Sequence, residues 1–317
     1  MPSGMTRLNL GLTLVGSAIY LFFSSVVLPP PAHAADRTAP RTPTAAQPTR
    51  PSRTGTERPF LWKIEGPKPS WLFGTIHSAN PAVAKLPASV TTALDASRSF
   101  HPEVELSAEL APLLVAKLFM VETPSLSTRL SPALWARVRQ AGANLGLPDL
   151  VLERLTPGLA TLFFSAPLDT DVAATVDGQL YARAIARQLP ITALESLDEQ
   201  FAVFEKLAET QAIAALTEAL DEAETGRPKE QKLLRAYASG DERAIAAALE
   251  AEFASSPAAR ALAEPLLYRR NRLMADRLKP HLANGGAFVG IGAAHLIGPK
   301  SVIELLRARG LTITRVP

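Results

Sequence analysis

Residues 287–316 read AFVGIGAAHLIGPKSVIELLRARGLTITRV, and this stretch decides the fold class. The apolar run 287–292 (AFVGIG) reads as a buried strand, and Lys300 to Arg309 as a helix. Gly310 stands where a helix commonly turns into the left-handed region, and LTITRV (311–316) is a β-branched second strand. A strand, a helix and a second strand at this spacing form a βαβ unit. The first strand runs directly into Gly292-Ala293-Ala294-His295.

The same order recurs near the front of the chain. FLWKIEG (60–66) and SWLFGTIH (70–77) flank a Pro/Gly turn and read as a β-hairpin. A helix near 87–97 and a strand at Phe100–Leu106 follow. Again an apolar strand ends in Gly-x-x-His, here Gly74–His77. Each histidine then sits at the carboxyl end of a strand, where open α/β sheets bind ligands. The expected fold is α/β: a central mixed sheet made of N- and C-terminal βαβ-like halves carrying the GxxH motifs, with a large helical insertion between them.

The insertion spans about 107–280. Ser131-Pro132 is an N-cap with proline in the first turn, and Ser196–Glu199 is a capping box. Ser256-Pro257 opens a helix expected to reach Lys279, and PITAL (190–194) reads as a short strand.

Ahead of the fold, residues 8–28 form an uncharged, mostly apolar run behind Arg7, followed by three prolines and Ala32-His33-Ala34. Small residues at these positions suit signal peptidase, so residues 1–34 are expected to be an export signal. The run is also long enough to span a bilayer, leaving an uncleaved membrane tether as the second reading. Residues 35–58, rich in Pro, Thr and Arg, lack the apolar surface to fold and read as a disordered linker. Residues 59–317 are then the folded domain. The expected location is the periplasm of a Gram-negative bacterium, with inner-membrane anchoring as the variant.

Charge and cysteine content narrow the function. The net charge is +3, but residues 1–58 hold six arginines against Asp36 and Glu57, so the remainder is −1. A nucleic-acid binder carries its basic excess on the fold, so that class is excluded. The chain has no cysteine, which removes disulfides, a thiol nucleophile and any thiolate metal site. A metal must rest on His, Asp and Glu.

Of the five histidines, His33 lies in the export signal and His281 reads as a solvated helix end. His77 and His295 share the strand–glycine–loop setting and are the candidates for one composite site. The strand Phe100–Leu106 alternates, placing His101, Glu103 and Glu105 on one face, so Glu103 or Glu105 is expected beside the first motif. Arg270 sits among Leu266, Leu267, Leu273 and Met274 at helical spacing. A guanidinium there needs a partner, and two readings stand: a buried salt bridge, for instance with Glu195, or a direct role in a site.

WLFGTIH with downstream LPASVTTAL and PEVEL, then VDGQL (176–180), TALESLDEQ (192–200), RRN (269–271) and the stretch 289–316, resembles the TraB/GumN (PrgY/TIKI-like) family of the ChaN/erythromycin-esterase-like superfamily. The resemblance runs in order from about residue 60 to 317. It implies an α/β core with a helical insertion and metal-dependent peptidase activity. Carried over by position, it implies His77, His295 and Glu103 as ligands of a divalent ion (Mn, Co, Fe or Zn), with Glu103 and Arg270 as catalytic groups. Pro102 before Glu103 and Arg269 before Arg270 depart from the family's usual residues. The implied partner is a peptide or protein substrate. The alternative is a periplasmic iron- or haem-handling or polysaccharide-associated binding protein without hydrolytic activity, and a third reading is a helical interaction scaffold.

Overall fold

The computed structural model describes residues 58–105, 124–165, 172–225, 228–254, 260 and 262–317. The expected export signal and nearly all of the linker lie outside these residues, as do Leu106 and the Ser256-Pro257 helix start. Among the described residues no helix is long and apolar enough to cross a membrane.

Five strands form one mixed sheet: β1 (Leu61–Ile64), β2 (Ser70–Thr75), β3 (Ser99–Pro102), β4 (Ala287–Gly292) and β5 (Ile313–Arg315). Their order is β3-β4-β2-β1-β5. The hairpin is present, with β1 antiparallel to β2 and Leu61 opposite Phe73. β4 lies parallel to both β2 and β3, with Gly74 opposite Ile291 and Phe100 opposite Phe288. β5 closes the far edge antiparallel to β1. The two halves therefore interleave. β4 slots between the parallel strands of the N-terminal half, and β2 and β1 separate the parallel strands of the C-terminal half. This interleaving puts the two GxxH strands side by side.

Helices α1 (Ala88–Asp95), α2 (Pro132–Asn144), α3 (Pro157–Ser165), α4 (Val176–Ala186), α5 (Leu197–Glu205), α6 (Glu209–Glu224), α7 (Pro228–Ala238), α8 (Glu242–Ala254), α9 (Arg269–Ala283), α10 (Ala293–Leu296) and α11 (Val302–Arg307) follow the chain. Phe73, Phe100 and Phe288 bury one sheet face against α1 and α4. Leu72, Val289 and Ile291 bury the other against α7, α8, α9 and α11. The insertion builds its own core from α2, α3, α5 and α6 around Phe163, Phe201 and Leu216. Ser131 caps α2, and Ser196 with Glu199 forms the capping box on α5, as their sequence indicates.

Three local expectations need correction. The strand expected over Phe100–Leu106 stops at Pro102, because proline brings no N–H to the ladder and the backbone bends at Glu103. The segment 190–195 runs alongside as a bridged edge rather than a named strand, pairing Phe100 with Ile191 and Val104 with Glu195 in parallel. Helix α9 runs past Pro280 to Ala283, so His281 is not a solvated end: its ring stacks on His101 with centroids 4.0 Å apart. A π-turn at Glu264–Tyr268 leads into α9 immediately before Arg270.

Candidate functional site

The parallel pairing of β2 and β4 places both motifs at the same end of the sheet. The two glycines serve different purposes. A Cβ on Gly74 would stand 3.0 Å from the Ala293 Cα and 3.1 Å from the Phe60 Cβ, because α10 closes directly over β2. A Cβ on Gly292 would point into the site, 3.3 Å from Glu103 Oε2, 3.6 Å from His295 Cδ2 and 3.8 Å from His77 Nε2. The space above Gly292 is thus bounded by the three side chains that sequence reasoning singled out. Tyr237 of α7 donates its buried hydroxyl to the Gly74 carbonyl at 2.7 Å, fixing the turn that aims His77.

Both imidazoles are held from behind. His77 Nδ1 lies 2.9 Å from Asp177 Oδ2 on α4, and His295 Nδ1 lies 2.6 Å from Asn271 Oδ1 on α9. A carboxylate or amide oxygen only accepts, so each Nδ1 carries a proton, and in the neutral ring Nε2 is the atom that holds the lone pair. Both rings are buried. For His295, burial is the largest influence and lowers the pKa; the Glu103 charge opposes it, the Arg270 and His77 charges add to it, and the result is about 3. His295 is therefore a neutral imidazole across the physiological range. For His77, burial lowers the pKa, but the Asp177 charge and hydrogen bond, aided by Glu103, carry it above the ordinary histidine value.

Glu103, brought in by the bend after β3, lies between the rings and an ion-pair network. Its Oε2 accepts from the Gly292 N–H at 2.9 Å, and its Oε1 accepts from Arg270 Nη2 at 2.6 Å. His295 Nε2 is 3.8 Å from that Oε1. Burial raises the Glu103 pKa, but His295, Arg270, His77 and the Gly292 N–H together lower it to about 2. Arg270 also donates to Glu195 through Nε and Nη2, and to the Leu266 carbonyl through Nη1. Four of its five N–H groups are thereby engaged. Gln200 of α5 donates to Glu103 at 3.2 Å and to Glu195 at 3.3 Å.

The site thus gathers His77, His295, Glu103 and Arg270. Glu105 does not take part and is exposed. The two readings of Arg270 merge, since the salt bridge to Glu195 exists and the same guanidinium holds Glu103.

The comparisons with known proteins give the family. The model of the TraB/PrgY/gumN family matches residues 60–315. The chain belongs to this family. It is similar to the "Metalloprotease TIKI homolog" of Amphimedon queenslandica, 23% identical over 84% of this chain and 63% of the relative. It is also similar to "Metalloprotease TIKI1" and "Metalloprotease TIKI2" of Danio rerio, at 25% and 26% identity over 85% and 81% of this chain and 67% and 61% of theirs. The chain thus spans about three-fifths to two-thirds of the length of the curated relatives it matches. No solved structure matches it significantly.

Within this TraB/PrgY/gumN domain, sequence reasoning missed Asp177, Gln200 and Tyr237, and Asn271 entered only as the last residue of the RRN block. Asp177 and Gln200 fall in the VDGQL and TALESLDEQ blocks, where an acid and an amide at internal helix positions were the available signal. Tyr237 carried none.

Among the described residues, no group of three or more His, Asp or Glu side chains stands ready-made to hold a metal ion. The hydrogen bonds give the reason: Glu103 turns its oxygens to Arg270 and the Gly292 N–H. His77 Nε2 and the Cδ2 edge of His295 nonetheless border the cradle above Gly292, each ring oriented by an Nδ1 hydrogen bond of the kind that supports metal-bound histidines. Paired imidazoles suit a borderline divalent ion, and Glu103 Oε2 keeps a second lone pair while Oε1 is taken by Arg270 and Gln200. These residues fit a two-histidine set with Glu103 beside it.

Proposed function

We propose that the chain is an exported, metal-dependent hydrolase acting on peptides. The observation that supports this reading most is the convergence of His77 Nε2, His295 Cδ2 and Glu103 Oε2 on the single space above Gly292. The metalloprotease names of the relatives agree with it.

In this reading His77 and His295 hold a divalent ion through Nε2, with Glu103 as third ligand or as base. A bound ion acidifies water and polarises a carbonyl oxygen. Glu103 is kept ionised by Arg270 and the Gly292 N–H, and as base it would accept a proton from the attacking water and return it to the leaving amine. Arg270 orients Glu103, and its one uncommitted N–H is the donor left for a developing oxyanion. Asp177 and Asn271 lock the two rings in the tautomer that leaves Nε2 open. Burial of every member keeps bulk water from competing for these contacts.

Protein purified without chelator, assayed for bound metal and screened against a peptide library, tests the proposal. Cleavage that stops with chelator and returns with Mn, Co, Fe or Zn is the expected result. A peptide screen with no cleavage under any metal, or with cleavage indifferent to chelator, contradicts it. Retained iron or haem without cleavage would instead favour the binding-protein alternative.

A further inference from the structure

A cleft of about 270 Å³ opens between α5 and the π-turn that leads into α9, behind the ion-pair network. Its walls are aliphatic, with Val203 and Leu207 on one side and Leu262, Pro265 and Leu273 on the other. Its inner end is Glu195 and Arg270, and Arg270 Nη2 is the group that holds Glu103 at 2.6 Å. An occupant therefore rests one side chain away from the catalytic carboxylate.

The charges around the cleft are unbalanced. Arg270 is shared by Glu103 and Glu195, which leaves one negative charge at the buried inner end, and Glu199 is taken by Arg277 at the rim. Lys206 and Arg269 also line the cleft, both are exposed, and among the described residues neither side chain has an acidic partner. Two open cations thus stand over an aliphatic wall. The volume falls just under the roughly 300–1,000 Å³ of a drug-sized ligand pocket, which suits one or two side chains rather than a large cofactor. An apolar wall alone accepts any hydrophobe; the cationic rim selects a carboxylate beside it.

We infer that this cleft is a substrate subsite that takes an aliphatic side chain followed directly by an acidic side chain of a peptide. The inference rests on the peptidase reading and names its preferred sequence. Lys206 and Arg269 receive the carboxylate, and the aliphatic side chain fills the wall between α5 and α9.

The test is fluorescence anisotropy with the full-length protein, in chelator, using dye-labelled, terminally blocked peptides that differ only in a central Leu-Glu, Leu-Gln or Ser-Glu pair. The Leu-Glu peptide is expected to bind about threefold to tenfold tighter than either control, as two exposed charge contacts allow. The preference over Leu-Gln should fade in high salt and disappear in the Lys206→Ala/Arg269→Ala double variant, whose exposed positions leave the fold intact, while the preference over Ser-Glu should persist. Equal affinity for all three peptides, or a preference over Leu-Gln untouched by the double variant, overturns the inference. A parallel cleavage assay with metal separates the two claims. Preference without cleavage removes the peptidase reading alone, and cleavage without preference removes the subsite alone.

Discussion

The arms carrying His77 and His295 use one backbone device with two different anchors. In both, a parallel strand ends in Gly-x-x-His and the ring is fixed through Nδ1. His77 is held by a carboxylate, Asp177, from the helix layer on one face of the sheet. His295 is held by a neutral amide, Asn271, from the layer on the other face. The consequence is electrostatic. The His77 pKa rises above its ordinary value, whereas His295 falls to about 3. The repeated motif supplies position, and the anchors, recruited from unrelated helices, set the electronic character of each ring.

Arg270 stands behind both arms, and removing it should have the largest effect. Arg270→Met leaves Glu103 and Glu195 buried without their cation. Breaking such a pair costs about 3–5 kcal/mol. Urea unfolding should show that loss, and a midpoint near wild type would mean the network contributes little.

The comparison itself is sharpened by exchanging anchors. Asp177→Leu and Asn271→Leu should each weaken metal affinity by about 10–100-fold, the usual cost of losing such a partner. Asp177→Asn keeps a hydrogen-bond acceptor and should fall between Asp177→Leu and wild type, because only the charge is gone. Calorimetric metal titration reads all three. If Asp177→Asn equals wild type, the carboxylate's charge does nothing for the His77 arm.

A smaller effect is confined to one arm. Tyr237→Phe removes only the hydroxyl bound to the Gly74 carbonyl, a loss of about 1 kcal/mol. Thermal unfolding should register it, and the change in metal affinity should match a loosened His77 with His295 intact.

A pH-dependent effect lies beside the site. Burial, then the charge of the stacked His281, lowers the His101 pKa from 6.5 to about 4, against the opposing Thr192 carbonyl. The unfolded chain therefore binds a proton at this position near pH 6.5 that the folded chain refuses until about pH 4. Stability from His101 is complete above pH 6.5, drains as pH falls toward 4, and is level below that. His101→Gln should flatten this part of the melting temperature against pH, while wild-type and variant curves of equal slope would refute it.

Much of this was legible in the sequence because it depends on short-range pattern. The apolar runs into Gly-x-x-His revealed β2 and β4, and the isolated Arg270 on an apolar helix face revealed a buried network. Strand order was not legible, because β4 enters the N-terminal half from more than 180 residues downstream through pairing that no local pattern records. The anchors were hidden for the same reason. Asp177 and Asn271 lie 100 and 24 residues from the rings they hold, and an acid or amide in a helix looks solvated until its neighbour is known. His281 was misread because the helix was ended too early at Pro280.

The central claim is that His77 and His295 act together on one ion. Isothermal titration of chelator-stripped protein with Mn, Co, Fe or Zn, comparing wild type with His77→Ala and with His295→Ala, addresses it most directly. The expected result is one ion per wild-type chain and loss of that site in either single variant, with peptide cleavage lost in parallel. A folded His77→Ala protein that keeps full metal binding and full cleavage would contradict the account.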